Sequence, residues 1–163
     1  MARILIVDDS LFDRTRAVEA IRLLGHAPLI ATDAESGLAL CRAERPDLVL
    51  MDLVLPGGED GYAVTRRIRS DPRLFDIPVV MVTSRDQRSD AFWGFRQGAA
   101  GYVTKPYRAE ELASVIARLL LISRASPSGR FGAPRCRSLC SNGAARLPSA
   151  KGPAPRHSDS LAI

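Results

Sequence analysis

The apolar positions of this chain fall into short runs that alternate with helical periodicities. Residues 3–7 form the first run and end in Asp8-Asp9-Ser10. A helical pattern follows, with Ala17, Ile21 and Leu24 at i, i+4 and i+7, closed by Gly25. Residues 27–31 make a second run, and Asp33 caps a predicted helix through about Arg42 that turns Gly37, Leu38 and Cys41 to one face. After Pro46 comes the longest run, Leu48-Val49-Leu50-Met51-Asp52-Leu53-Val54-Leu55-Pro56, interrupted by a single carboxylate. A run of this kind reads as a strand buried on both faces. The Gly57-Gly58-Glu59-Asp60-Gly61 loop leads into a helix with Val64 and Ile68 inward, ended by Asp71-Pro72. Ile77-Pro78-Val79-Val80-Met81-Val82 predicts a fourth strand, finishing in Thr83-Ser84, and a helix through Ala91, Phe92 and Phe95 runs to Gly98. Residues 101–103 make a brief fifth strand before Thr104-Lys105-Pro106. The last helix has the clearest period, with Leu112, Val115, Ile116, Leu119 and Leu120 on one stripe.

Five strands alternating with five helices predict an α/β fold, a doubly wound parallel sheet covered on both faces, because parallel neighbours need crossovers. Right-handed crossovers place every strand's carboxyl end on one edge. Asp8-Asp9, Asp52, Thr83 and Lys105 each follow their own strand, so all of them meet on that edge. Ligands of open α/β sheets bind there, where the strand order reverses.

The chemistry of such a site follows from charge. Three carboxylates, Asp8, Asp9 and Asp52, repel one another at reduced dielectric, so either their pKa values rise or a cation sits among them. A hard divalent ion such as Mg²⁺ takes one or two carboxylates and keeps waters. Lys105 adds a further positive charge. A carboxylate can act as a nucleophile toward phosphorus, and Lys105 and the Thr83 hydroxyl are placed to hold the oxygens of a phosphoryl group.

Charge also divides the chain. Its 163 residues carry a net +5, but residues 1–123 hold 16 Lys and Arg against 17 Asp and Glu, whereas residues 124–163 hold 7 against 1. The expectation is a domain over 1–123 and a basic, disordered tail over 124–163, rich in Ser, Pro, Gly, Ala and Arg. The tail offers nonspecific contact to nucleic acid at most, since its basic residues are scattered and no helix-turn-helix pattern follows. Cys136 and Cys140 lack a full set of zinc partners, with only His157 nearby, and Cys41 reads as a small core filler. Three cysteines give no disulfide framework, and no apolar stretch is long enough to insert in a membrane, so a cytoplasmic location is expected.

Taken together, Asp8-Asp9, Met51-Asp52 with Pro56 four residues on, Val82-Thr83-Ser84 and Gly101-Tyr102-Val103-Thr104-Lys105-Pro106 resemble the signature of two-component response-regulator receiver domains over about residues 2–122. With Trp93-Gly94 and Arg96-Gln97-Gly98-Ala99, the chain looks most similar to single-domain regulators of type IV pilus twitching motility. The resemblance implies a flavodoxin-like sheet of strand order 2-1-3-4-5. It implies Asp52 as phosphoacceptor, Asp9 as a direct Mg²⁺ ligand, Asp8 acting through a metal-bound water, and the Val54 carbonyl as a further ligand. Thr83 would bind the phosphoryl group, Lys105 would form the ion pair, Lys105-Pro106 would be cis, and Tyr102 would be the aromatic switch. The implied partners are a histidine kinase or its phosphotransfer domain and an output protein such as motility machinery, with no DNA-binding output domain.

Two departures stand out. The Gly57–Gly61 loop is one residue longer than the commoner spacing, and the last helix, starting near Tyr107, lacks an Asp or Ser cap. Other readings have to be set against the signalling one. A Mg²⁺-dependent phosphohydrolase would carry Asp-x-Asp after the first strand, which Asp8-Asp9-Ser10 is not. A phosphate sink, or a degenerate receiver acting by binding alone, would share every residue of the site. Phe92 and Trp93 would serve either as core or as a partner surface beside Tyr102.

Overall fold

The computed structural model describes residues 1–84 and 95–125. The described chain alternates strands and helices: β1 (Arg3–Val7), α1 (Leu11–Leu23), β2 (Ala27–Ala31), α2 (Ala34–Glu44), β3 (Leu48–Met51), α3 (Gly61–Ser70), β4 (Val79–Thr83), β5 (Gly101–Thr104) and α4 (Ala109–Ala125). The strands form one parallel sheet in the order β2-β1-β3-β4-β5. Four helices lie among the described residues. The helix predicted through Ala91 and Phe92, the Trp93 surface and the tail with Cys136, Cys140 and His157 lie outside them, apart from Phe95 at the margin.

Strand periodicity distributes the core into two layers. Ile4, Ile6, Leu48, Leu50, Val80 and Val82 face α1 and α4, meeting Ala17, Ile21, Leu112 and Ile116. The alternate positions Leu5, Val7, Val49, Met51, Val79 and Met81 face α2 and α3, meeting Leu38, Cys41, Val64 and Ile68. Burying a side chain of this size contributes roughly 1.5–3 kcal/mol, so these two layers hold the fold. Cys41 is buried in the second layer, and that burial pushes its thiol up to about 12, which makes it inert filler.

Local signals set the helix ends. Ser10, Asp33 and Asp60 cap α1, α2 and α3, each accepting from the N–H three residues on. The final helix lacks such a residue, and Glu111 supplies the cap instead: its carboxylate accepts the Arg108 N–H at 3.2 Å, the reach-back half of a capping box. The helix accordingly begins at Ala109 rather than near Tyr107.

The sheet also corrects the central run. Only Leu48–Met51 is strand, since Asp52 Oδ1 accepts from the N–H of Leu53 at 2.6 Å and bends the chain off the ladder. Leu53 and Leu55 are still buried, and Val54 turns outward. The fourth strand starts at Val79, after Pro78, which has no N–H to give, and the fifth extends one residue further, to Thr104.

Gly61 closes the loop that follows. Its N–H donates to the Leu53 carbonyl at 2.9 Å, and a Cβ there would lie 2.1 Å from the Asp52 carbonyl oxygen. Gly61→Ala is therefore expected to cost about 2–3 kcal/mol by overpacking, read as a lower urea midpoint. An unchanged midpoint would show that the backbone after Asp52 yields freely.

Candidate functional site

The carboxyl edge is built by extending the ladder one residue past the strands. Asp8 N–H donates to the Ala31 carbonyl at 3.2 Å, Asp52 N–H to the Val7 carbonyl at 2.9 Å, and Lys105 N–H to the Thr83 carbonyl at 2.8 Å. Each of these residues is thus held by backbone before its side chain contributes. Because β1 lies directly beside β3, Asp8 and Asp52 become neighbours although 44 positions separate them in the chain.

The side chains then close on Lys105. Its Nζ donates to Asp8 Oδ2 at 2.7 Å and to Asp52 Oδ2 at 2.9 Å, and it lies 3.1 Å from Asp13 Oδ2. The Lys105 side chain is only 10% exposed, and those of Asp8 and Asp52 are comparably shielded. The outer oxygens are used too: Asp8 Oδ1 accepts from the Ser10 N–H at 2.8 Å, and Asp52 Oδ1 from Leu53. Arg14 donates to the carbonyls of both Asp8 and Asp9, at 2.9 and 2.8 Å, and so fixes the acidic turn from the outside. Behind the carboxylates lies a cavity of about 10 Å³, lined by Ile6, Ala17, Leu50, Val82 and Tyr107. It has room for about one water at most.

The electrostatics follow from this packing. Burial raises the Asp8 carboxyl, and the hydrogen bond and charge of Lys105 with the Ser10 N–H pull it back only in part, while Asp52 raises it further. Burial alone would lower the Lys105 amine, but its hydrogen bonds to Asp8 and Asp52 and their charges outweigh that and hold it above its ordinary range. Asp8, Asp9 and Asp52 can each offer a carboxylate oxygen, all within 4.8 Å of one another, with Asp9 exposed and the other two buried. Hard oxygen donors at this spacing, one carboxylate already disfavouring its charge, fit a small divalent cation.

Thr83 and Tyr102 lie on the strands where the sequence puts them, whereas Val54 lies off the predicted strand. Thr83 is fully buried at the end of β4, and Tyr102, in the middle of β5, is half-buried against the layer containing Met81. Val54 is exposed beside Asp52, paired in an isolated bridge with Asp60. The Lys105-Pro106 peptide is cis. Two residues escaped the sequence reading. Asp13 would be taken as an acid favouring the positive end of α1, and Tyr107 as the start of the last helix. Tyr107 is buried instead, its hydroxyl donating to the Asp13 carbonyl at 3.4 Å.

Residues 4–117 match the response regulator receiver domain family. The chain belongs to that family. Its receiver region is 45% identical over 120 residues to Protein PilH of Pseudomonas aeruginosa, an alignment covering 74% of this chain and 98% of that protein. Among solved structures, a CheY-like receiver domain protein from Methanospirillum hungatei JF-1 superposes with a TM-score of 0.70 at 26% identity, over 77% of this chain and 98% of the other. The Mn(2+)-bound form of response regulator Rcp1 matches with a TM-score of 0.62 at 27% identity, over 73% of this chain and 91% of that one. Receiver domains are signalling modules of two-component systems, and no helix among the described residues of this receiver is long and apolar enough to cross a membrane.

The raised Asp8 carboxyl sets a pH dependence. A group that binds its proton more tightly folded than unfolded adds stability as the pH falls from neutral through its raised pKa towards the ordinary 3.8, below which nothing further is gained. Asp8→Asn mimics the protonated form at every pH. In chelator, its melting temperature is expected to exceed that of the wild type by a few degrees at pH 7, the gap closing towards pH 4. A constant or negative gap in thermal melts would contradict the burial argument.

Proposed function

We propose that this receiver is a phosphorylation-controlled switch in which Asp52 accepts a phosphoryl group from a histidine kinase or its phosphotransfer domain. The observation that carries this reading is the shielded Lys105 ammonium bridging Asp8 and Asp52 at 2.7 and 2.9 Å. A carboxylate oxygen of Asp52 attacks phosphorus, the phosphorus–nitrogen bond of the donor histidine breaks, and its electron pair leaves with the imidazole. Asp8, Asp9, Asp52 and the Val54 carbonyl would hold Mg²⁺, which when bound supplies positive charge against the carboxylates and the transferring group. Lys105 follows the new phosphoryl oxygens, and the Thr83 hydroxyl takes one of them. Tyr102, half-buried one strand over from Met81, then turns inward as Thr83 moves, changing the surface around β5 and α4. Such a switch needs only a modest bias between two conformations.

The output partner follows from resemblance. Likeness to single-domain type IV pilus regulators and to PilH along nearly its whole length favours motility machinery over a DNA-binding output domain. The metal in the Rcp1 structure supports a divalent ion at the acidic cluster. The switch is assigned to residues 1–123, which contain the matched 4–117, and residues 124–163 to a basic tail outside it.

Intact mass after incubation with acetyl phosphate tests the central step. One phosphoryl adduct is expected on the wild type with Mg²⁺, lost on adding excess chelator and absent in Asp52→Asn. A folded, Mg²⁺-binding wild type that forms no adduct would leave a receiver that works by binding alone.

A further inference from the structure

Asp13 has no role in the chemistry above, yet it touches its central cation. It stands third in α1, where its own N–H donates to the capping Ser10 hydroxyl at 3.3 Å. An acid at this position ordinarily serves the helix dipole. Here its Oδ2 lies 3.1 Å from Lys105 Nζ, across 92 positions of sequence. The pairing is fixed from both sides. Tyr107 donates its hydroxyl to the Asp13 carbonyl at 3.4 Å, and Arg16 donates to the Tyr107 carbonyl at 3.2 Å. The first turn of α1 and the segment carrying Lys105 are therefore tied together, with the Asp13–Lys105 ion pair between the ties.

The three carboxylates around Lys105 differ in what else they can hold. Asp8 and Asp52 also belong to the cluster whose oxygens converge within 4.8 Å, together with Asp9, and Asp13 does not. A divalent ion entering that cluster competes with the ammonium for the oxygens of Asp8 and Asp52. We propose that Asp13 is a positioning residue for the cation site: it offers the Lys105 ammonium, which sits on Asp8 and Asp52, a third carboxylate at 3.1 Å onto which it shifts when a divalent ion takes their oxygens. This rests on the reading of Asp8, Asp9 and Asp52 as a Mg²⁺ site. Loss of the Asp13 charge acts twice in the same direction. It removes a nearby negative charge, and it takes away the carboxylate onto which Lys105 shifts when the ion arrives.

The test is Mg²⁺ titration by calorimetry of the full chain, without phosphodonor. Asp13→Asn keeps the size of the side chain and is expected to weaken Mg²⁺ binding about three- to tenfold, with Asp13→Glu restoring most of it. In a Lys105→Met background the same substitution should have a clearly smaller effect, because the ammonium it acts through is gone. Circular dichroism melts confirm folding, and Asp13→Ser replaces the asparagine variant if that one does not fold. A wild type that takes up no Mg²⁺ would overturn the cation site itself. If the wild type binds and Asp13→Asn binds equally well, Asp13 is a helix-dipole residue and the inference falls. An equal loss with and without Lys105 also overturns it, since Asp13 would then act by its charge alone.

Discussion

Everything at the carboxyl edge depends on one shielded ammonium. Two carboxylates brought together at the ends of adjacent strands would repel, and the Lys105 charge between them is what makes the arrangement tolerable. The sheet order makes this a demanding reach. Strands lie about 4.8 Å apart, so β5 stands two strand spacings from β3 and three from β1, and Lys105 must pass over the end of β4. A long, flexible stem with a compact charge suits that path better than the planar fork of an arginine. The residue at the end of β4 is correspondingly small: Thr83, fully buried beneath the route.

The site and the scaffold pull in opposite directions energetically. Stability resides in the two apolar layers, whose side chains alternate along every central strand. The edge adds buried charge, and deleting Lys105 would leave Asp8 and Asp52 as uncompensated buried carboxylates, at a cost greater than the pairing contributes. The upward shift of the Asp8 carboxyl is the local sign of this tension, because burial outweighs the help it gets from Lys105 and Ser10. A site that would be easier to bury if it were less charged is one that gains from whatever neutralises it.

Much of this was legible in the sequence because periodicity and punctuation agree. The alternation of short Val, Leu and Ile runs with helical stripes gives the strand and helix order, and Asp8, Asp52, Thr83 and Lys105 each sit just past a run. The strand ends were harder to read. Composition cannot show that Leu53 and Leu55 are buried without being strand, since apolar content is the same either way, and only the Asp52 turn reveals the difference. An acid in the first turn of a helix ordinarily serves the dipole, and only the structure shows Glu111 reaching back to the Arg108 N–H as a cap. Asp13 was out of reach for a different reason. Its importance lies in a contact with Lys105 at the far end of the domain, and nothing local distinguishes it from any acid in the first turn of a helix.

The loop between Val54 and Asp60 shows where this architecture can change. It is fenced on one side by the Asp52–Val7 backbone bond and on the other by Gly61 bonded to Leu53, while Gly57 and Gly58 take left-handed conformations in between. One more residue inside a strand would turn every following side chain to the opposite face. One more residue inside this fence leaves Asp8, Asp52 and Lys105 where the ladder holds them. The loop is thus an insulated margin, where a change of length at the rim of the pocket alters what approaches it while the carboxylates and the ammonium beneath keep their places.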